Sequence, residues 1–348
     1  MFFPRNLSNC FKFKRKCFYA QPYSTETKSN GLKVLFFGTD TFSLPSLKVL
    51  HKHNGSNESL GVVTSFKSPA NCVRVYAEQQ KLALHKWPIT TEHCRPFDLG
   101  VVVSFGHLIP THIINAFPLG MINVHASLLP RWRGAAPIIY SIMNGDQETG
   151  VSIMRIEPKR FDVGDIFAQK KVKIEPGVFM PDLHKELSEK GADLLWQVVS
   201  GYPKTFENPM KQNDKDATYA PKITPDIYEI NWSNLTSLEV YNRYRALYGF
   251  KALTSKFQQK SIELLDISLP QEISSGDSFK SDSSPGSLVY HYKRKCLRVQ
   301  CANHTFIEVH RLRVEGKKAM SAMDFNNGFL KKLQTSKMEF HYNKVVCC

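Results

Sequence analysis

The chain has 348 residues, of which 42 % are hydrophobic and 22 % are charged, which fits a globular protein with room for two domains of ordinary size. No stretch approaches the roughly 18 uncharged apolar residues that a membrane-spanning helix needs, so the composition gives no reason to expect a membrane protein. The 46 Lys and Arg residues exceed the 31 Asp and Glu residues by 15, and this excess favours a polyanionic partner such as nucleic acid.

Residues 1–30 differ from the rest of the chain in charge and composition. They contain six Lys and Arg residues and one acidic residue, Glu26, with phenylalanines among Ser and Asn and no continuous apolar core. A basic, acid-poor segment of this kind is typical of a mitochondrial transit peptide, whereas a secretory signal peptide needs an apolar core. A disordered basic tail that binds nucleic acid or nothing is the alternative that the composition leaves open.

The eight cysteines follow neither a metal-binding nor a disulfide pattern. The sequence has no Cys-x-x-Cys pair and no Cys/His spacing of a zinc site. We therefore expect reduced, structural thiols and no bound metal.

Short apolar runs alternate with helical patterns in the first part of the chain, and this alternation predicts a Rossmann-like, mostly parallel α/β sheet. After the first strand the sequence FFGTDTF has a single glycine and lacks the G-x-G-x-x-G fingerprint of a dinucleotide site. The predicted strands lie at 32–37, 60–64, 99–105, 122–124 and 150–156, and the predicted helices at 45–50, 73–84 and 183–199.

After residue 200 the composition changes. Residues 201–225 are rich in Pro, Lys, Asn and Asp, which predicts a connection across the surface of the first unit. A predicted helix at 233–247 precedes short alternating runs that indicate a small antiparallel β-barrel, with a Ser/Asp/Gly-rich mobile loop at 274–286. From residue 290 onward, twelve Lys and Arg residues accompany four acidic residues. The predicted barrel strands lie at 261–267, 287–292, 296–301 and 305–311.

Polar side chains follow two of the predicted strands. Asn123, His125 and Ser127 alternate, so in extended backbone they point to one side. Asp162 follows a later strand, and Gly164 predicts a tight turn there. Because open α/β sheets bind ligands at the carboxyl ends of their strands, we expect the amide, the imidazole and the carboxylate to converge.

These three groups suit the transfer of an acyl group to an amine. Attack on a formyl carbonyl builds negative charge on its oxygen, which Asn123 and His125 can stabilise by hydrogen bonds. His125 can also carry the proton that the amine loses, while Asp162 orients the ring or accepts the proton. Structural roles stay open at this point: a turn cap for Asn123, a buried, satisfied ring for His125 and an Asx-turn for Asp162.

The segment NVHASLLPRWRGAAPI at 123–138 resembles the signature of the folate-dependent formyltransferases and is most similar to the methionyl-tRNA formyltransferase family. Four other segments are similar to that family in the same order, namely FFGTDTF, VVVSFGHLIP, GVSIMRIEPKRFDVGD and TYAPKITPDIYEINW. Together they cover most of residues 31 to about 250, so the resemblance does not depend on one motif.

The resemblance implies a domain order and a set of site residues. The implied domains are a transit peptide at 1–30, a formyltransferase catalytic domain at 31–203, a linker at 204–224 and an OB-like, tRNA-binding barrel at 225–348. The implied catalytic residues are Asn123, His125 and Asp162. The implied loop against the folate consists of Ser127, Leu128, Leu129 and Pro130.

The implied reaction moves a formyl group from 10-formyltetrahydrofolate to the α-amine of methionine on initiator tRNA, without a metal. The implied setting is a monomeric enzyme of translation initiation in the mitochondrial matrix, with no membrane partner. Two alternatives remain. Another 10-formyltetrahydrofolate-dependent formyltransferase or hydrolase would act on a small molecule, and a nucleic-acid-binding module would have an inert first domain.

The sequence departs from the usual bacterial pattern of this family in one loop. Bacterial members have a longer basic loop after the second strand, whereas residues 65–75 here offer only Lys67 and Arg74. Lys159 and Arg160, before Asp162, match the mitochondrial branch and either contact phosphate or lie in solvent. Arg131 and Arg133, on either side of Trp132, either bind folate or tRNA or support the site structurally.

Overall fold

The computed structural model describes residues 31–53, 57–69, 71–270, 283–332 and 338–342. The predicted transit peptide at 1–30 and most of the predicted loop at 274–286 therefore lie outside the described residues. Within the described ranges, no helix is both long and apolar enough to cross a membrane.

The first half of the chain alternates strands and helices. Its strands are β1 (Val34–Gly38), β2 (Leu60–Thr64), β3 (Ala83–Lys86), β4 (Leu99–Val103), β5 (Met121–His125), β6 (Glu148–Arg155) and β7 (Ile166–Lys173). Its helices are α1 (Leu44–His53), α2 (Cys72–Gln79), α3 (Thr91–Cys94), α4 (Thr111–Ile114), α5 (Pro137–Met143) and α6 (Met180–Ser200).

These strands form one sheet in the order β3-β2-β1-β4-β5-β6-β7. Neighbouring strands from β3 to β5 are parallel, and β6 and β7 extend the sheet in antiparallel register. Every residue of β1, β2 and β4 is buried because helices cover both faces, which is why these strands are nearly continuous apolar runs. The chain reverses its direction of progress across the sheet between β1 and β4, which is where sheets of this kind bind ligands.

Two edge strands differ from the sequence-based prediction. The helix predicted at 73–84 ends at Gln79, Lys81 has a φ of +55°, and the chain then forms β3. The strand β7 was not predicted at all. Half of the residues in each edge strand are polar and both strands are only partly buried, so neither has the apolar run that identifies the central strands.

The second half of the chain forms a small antiparallel barrel. The described segment 338–342 bonds to the edge strand Leu253–Phe257 through Lys256 and His341. It also bonds to the start of the opposite edge strand, Leu288–His291, through Leu288 and Met338, so it joins the two edges of the sheet. The predicted fold class, a Rossmann-like sheet followed by a small barrel, is confirmed. The elements are α7 (Lys204–Glu207), α8 (Ser237–Leu247), β8 (Leu253–Phe257), β9 (Lys260–Ser268), β10 (Leu288–His291), β11 (Cys296–Gln300), β12 (Phe306–Val314), β13 (Ala319–Ser321) and α9 (Ala322–Gly328).

The barrel half is attached to the first half at two places. Helix α8 packs on α5, and Arg245 of α8 donates a hydrogen bond to the carbonyl of Val178, just before α6. The connection after α7 returns to the first half, where the N–H of Arg133 donates to the carbonyl of Thr218 at 2.9 Å and the N–H of Ala220 donates to the carbonyl of Arg133 at 2.8 Å. The segment that joins the two halves is thus bonded to the loop that follows β5.

Gly150 in β6 lies so close to two neighbouring segments that a larger residue would collide with them. A Cβ atom on Gly150 would lie 2.1 Å from the carbonyl oxygen of Lys170 on β7 and 2.6 Å from the side chain of Leu128. We expect Gly150→Ala to lower the free energy of unfolding by about 1–3 kcal/mol, because backbone cannot give way as a flexible side chain can. Gly328→Ala is the matched control, since a Cβ atom there meets nothing within 4 Å. Urea unfolding that gives equal stabilities for both variants would contradict this account.

Candidate active site

His125 and Asp162 meet at the carboxyl end of β5. His125 is the last residue of the strand and is buried, and its Nε2 lies 2.9 Å from the carbonyl oxygen of Trp132. A carbonyl only accepts, so this nitrogen is the donor and carries a proton. The other ring nitrogen, Nδ1, lies 3.7 Å from Oδ1 of Asp162. The predicted convergence of these two residues is therefore present in the structure.

The turn that carries Asp162 is held in an unusual conformation. Asp162 has a φ of +53°, in the left-handed region that a residue with a Cβ atom enters only at a cost. Its Oδ2 accepts a hydrogen bond of 2.9 Å from the N–H of Gly134. A Cβ atom on Gly164 would lie 2.0 Å from the carbonyl oxygen of Arg155, so this position requires glycine. The carboxylate is aimed at His125 by contacts from two other segments.

Asn123 lies two residues before His125 on β5, so the two side chains leave the strand on the same side. The Asn123 side chain is half-buried and has no hydrogen-bond partner among the residues that the structure describes. An amide at the end of a buried strand that is not used internally can donate to a bound substrate.

The predicted folate loop is tied to the sheet by its own backbone. Ser127 is buried, and its hydroxyl donates to the carbonyl of Arg131 at 2.6 Å. The buried Leu129 donates from its N–H to Ser152 and accepts from Gln169 at its carbonyl. The Ser127 side chain therefore does not point into the site together with those of Asn123 and His125. The half-buried Leu128 and Pro130 keep side-chain surface for a ligand, so contact of the loop with folate stays a prediction.

The two arginines that flank Trp132 have partners within the protein. Arg131 forms a bidentate pair with Asp146, with N–O distances of 2.9 and 2.5 Å, and the Asp146 hydrogen bonds raise the pKa of this guanidinium. The Trp132 indole donates to the same carboxylate at 2.7 Å. Arg133 is buried and pairs with Asp214 at 2.9 Å. Of the two roles left open for these arginines, the geometry favours the structural one, most strongly for Arg133.

The loops after β1 and β4, where the chain reverses its progress across the sheet, supply polar groups that the sequence-based prediction did not assign to the site. Thr39, after β1, donates from its hydroxyl to the carbonyl of Ser104, after β4, at 2.9 Å. The Ser104 hydroxyl donates to Asp40 at 2.5 Å. Four residues further on, Leu108 is 68 % exposed. The signal was available, because FFGTDTF and VVVSFGHLIP each place polar residues directly after a buried strand.

The described thiols are not suited to nucleophilic chemistry. Cys94, Cys296 and Cys301 are buried. Burial raises the pKa of Cys94 and of Cys296 to about 11 and that of Cys301 to about 12, so these thiols stay protonated near neutral pH. Among the residues that the structure describes, no group of three or more His, Cys, Asp or Glu side chains could hold a metal ion.

Two family models match the chain in sequence, "Formyl transferase" over residues 32–199 and "Formyl transferase, C-terminal domain" over residues 222–330. The mitochondrial methionyl-tRNA formyltransferase of Homo sapiens is 38 % identical over 307 residues, which cover 86 % of this chain and 78 % of the relative. The chain belongs to the methionyl-tRNA formyltransferase family. The family predicted from the signature segment is therefore confirmed, and the chain is an enzyme that transfers formyl groups.

A bacterial relative agrees with this assignment, and a solved structure shares the fold. The methionyl-tRNA formyltransferase of Coxiella burnetii (strain CbuK_Q154) is 33 % identical, over 89 % of this chain and 99 % of the relative. The N-formyltransferase from Helicobacter canadensis, solved with folinic acid and dTDP-3-aminofucose, superposes with a TM-score of 0.61 at 18 % identity, over 80 % of this chain and 98 % of that one. The second likeness is one of fold alone.

The contact between His125 and Asp162 can be tested by removing either partner. We expect His125→Ala and Asp162→Asn each to lower kcat for formyl transfer by about 100-fold, because each removes a group that carries or stabilises charge in the transition state. Binding of a folate analogue, measured by fluorescence titration, should persist in both variants. Asp193→Asn, at an exposed position of α6, is the matched control. Near-normal turnover in both site variants would remove the pair from the mechanism.

Proposed function

We propose that this enzyme moves the formyl group of 10-formyltetrahydrofolate to the α-amine of methionine on initiator tRNA, in the mitochondrial matrix. The observation that carries the proposal is the buried His125–Asp162 contact beside an Asn123 amide without a partner among the described residues. The chain's similarity to mitochondrial and bacterial methionyl-tRNA formyltransferases supports the identity of the acceptor and the compartment.

In this proposal Asn123 stabilises the oxyanion. The amine attacks the formyl carbon, a carbon–nitrogen bond forms, and the bond to the folate nitrogen then breaks. Negative charge on the formyl oxygen during these steps needs a donor that is already in place, and the unused Asn123 amide can provide it. Both ring nitrogens of His125 face protein groups, Trp132 on one side and Asp162 on the other, which makes the imidazole a weaker candidate for the same task.

His125 and Asp162 act on the proton in this proposal. The attacking amine loses one proton and the departing folate nitrogen gains one, so a group must accept a proton and return it. Protonation of His125 at Nδ1 would place N–H toward a carboxylate oxygen 3.7 Å away, and Asp162 would stabilise the resulting imidazolium. No metal enters this scheme.

The substrates are assigned to different parts of the chain in this proposal. The folate donor lies against Leu128 and Pro130. It extends toward the loops after β1 and β4, where Leu108 is exposed. The tRNA contacts the basic surface of the barrel, and Lys159 and Arg160 lie next to Asp162 for its acceptor end. Domain boundaries at 203 and 224, a leader at 1–30 and a monomeric state belong to the same proposal.

An assay with three acceptors tests the proposal. The full chain is incubated with 10-formyltetrahydrofolate and either charged initiator tRNA, free methionine or an amino-sugar nucleotide. We expect formylation of the charged tRNA at a rate at least about 100-fold above that of either small acceptor, because remote contacts with tRNA contribute to the transition state. Equal use of free methionine, or preference for the sugar nucleotide, would overturn the proposal and favour a small-molecule formyltransferase.

The basic surface of the barrel gives a prediction about salt. The exposed side chains of Lys293, Lys295, Lys317 and Lys318 lie in the stretch in which cations outnumber acids. If they contact phosphate, the KM for tRNA rises steeply with salt, with a log–log slope of about 0.7–0.9 for each phosphate neutralised. We expect the double variant Lys317→Gln/Lys318→Gln to lower this slope by about 1–2.

The control for this prediction neutralises two exposed lysines of the first domain. Lys185 and Lys190 on α6 are exposed, and Lys185→Gln/Lys190→Gln changes the net charge by the same amount. We expect this variant to keep the wild-type salt slope. An equal loss of slope in both double variants would mean that total charge, and not the barrel surface, attracts the tRNA.

A further inference from the structure

Gln212 lies in the connection between the two domains, and both ends of its side-chain amide are fully used. Its Nε2 donates to the carbonyl oxygens of Asp162, at 3.0 Å, and Gly164, at 2.8 Å. Its Oε1 accepts from Nε of Arg133, at 3.0 Å, and from Nη2 of the same guanidinium, at 2.8 Å. These four hydrogen bonds satisfy every donor and acceptor that a carboxamide has.

The acceptor end of Gln212 is attached to a fixed group. The Arg133 side chain is 4 % exposed, and Asp214, two residues after Gln212, binds its guanidinium at 2.9 Å. The Arg133 backbone is bonded on both sides to residues 218 and 220 of the same connection. Movement of Gln212 therefore requires movement of a buried, charged and multiply bonded residue, which makes Gln212 a rigid support.

The donor end of Gln212 holds the turn on which the site depends. Asp162 has a left-handed backbone, and its carboxylate must face both His125 and the N–H of Gly134. The amide group of Gln212 spans the carbonyls of residues 162 and 164 and so fixes the peptide unit before Val163 and the peptide unit after Gly164. A strained conformation persists only where its surroundings hold it, and these two hydrogen bonds come from outside the turn.

We propose that Gln212 is a positioning residue, which sets the distance between Asp162 and His125 by clamping the 162–164 turn to the Arg133 loop. This inference rests on the proposed function, because it assigns Gln212 to the same site. Gln212 acts through the turn, and its own carboxamide is fully occupied by protein groups. The domain connection is thereby a part of the active-site framework.

Gln212→Glu changes the donor end of the side chain and leaves the acceptor end able to bind Arg133. A carboxylate still accepts from Arg133, but its other oxygen faces two carbonyl oxygens and repels them. We expect kcat to fall about 10-fold, since small displacements of a catalytic group cost this much or more, while KM for the folate donor changes less than about twofold. Gln212→Met, which keeps the length of the side chain and removes all four hydrogen bonds without a charge, should lower kcat to a similar extent.

A double-mutant cycle with Asp162→Asn decides whether Gln212 acts through Asp162. We expect Gln212→Glu to lower kcat by less than about twofold in the Asp162→Asn background, because the geometry of the carboxylate no longer matters there. A 10-fold loss in both backgrounds would indicate a general structural effect and overturn the proposal. Unchanged kcat in both Gln212 variants would overturn it as well.

Asn213→Asp is the charge-matched control. It converts an exposed amide to a carboxylate one residue away, at a side chain whose hydrogen bonds, among the described residues, go to the N–H of Lys215 and the carboxylate of Asp216 and not to the 162–164 turn. We expect its kcat to equal that of the wild type, and its effect on KM for tRNA measures what a negative charge in this segment does by itself. The proposed function fails if the wild-type chain does not formylate charged tRNA. The Gln212 proposal fails if Gln212→Glu lowers kcat by the same factor in the wild-type and Asp162→Asn backgrounds. The two failures are therefore distinguishable.

Discussion

The geometry of the candidate active site depends on one carboxylate that is held at the carboxyl end of β5. Asp162 accepts a hydrogen bond from Gly134 and faces His125, and the turn that carries it has a left-handed backbone, which costs an aspartate more free energy than a glycine. Each supporting contact comes from a different segment: the end of β6, the loop after β5 and the connection between the domains. The carboxylate is therefore positioned by contacts from three separate segments of the chain.

The sequence predicts the parts of this site that depend on local pattern. The strands β1, β2 and β4 are fully buried, so their apolar runs identify them without knowledge of the fold. The convergence of His125 and Asp162 has a different cause from the one expected: β6 is antiparallel to β5, so its carboxyl end at Arg155 lies beside Ile122. The loop after β6 brings Asp162 back to His125. The family resemblance adds the roles. The structure adds the distances between these groups. It also indicates that Nε2 of His125 carries a proton, because the Trp132 carbonyl can only accept a hydrogen bond from it.

Other features of the site depend on contacts between distant residues and could not be predicted from pattern. Ser127 was expected to continue the alternation of Asn123 and His125, but the strand ends at His125 and the hydroxyl turns back to Arg131. Gln212 is one polar residue in a connection rich in polar residues, and nothing in its neighbours distinguishes it. The edge strands β3 and β7 were missed because a half-exposed strand has no apolar run.

The connection between the domains joins the barrel to the candidate active site through covalent bonds and hydrogen bonds. Helix α8 packs on α5, while residues 212–220 are bonded to the backbone and side chain of Arg133, whose neighbour Gly134 donates to Asp162. A displacement of this connection would therefore reach the Asp162 carboxylate through a hydrogen bond to Arg133, the peptide bond from Arg133 to Gly134 and the hydrogen bond from Gly134 to Asp162. Charge on the barrel attracts any polyanion, and attraction alone does not choose a substrate.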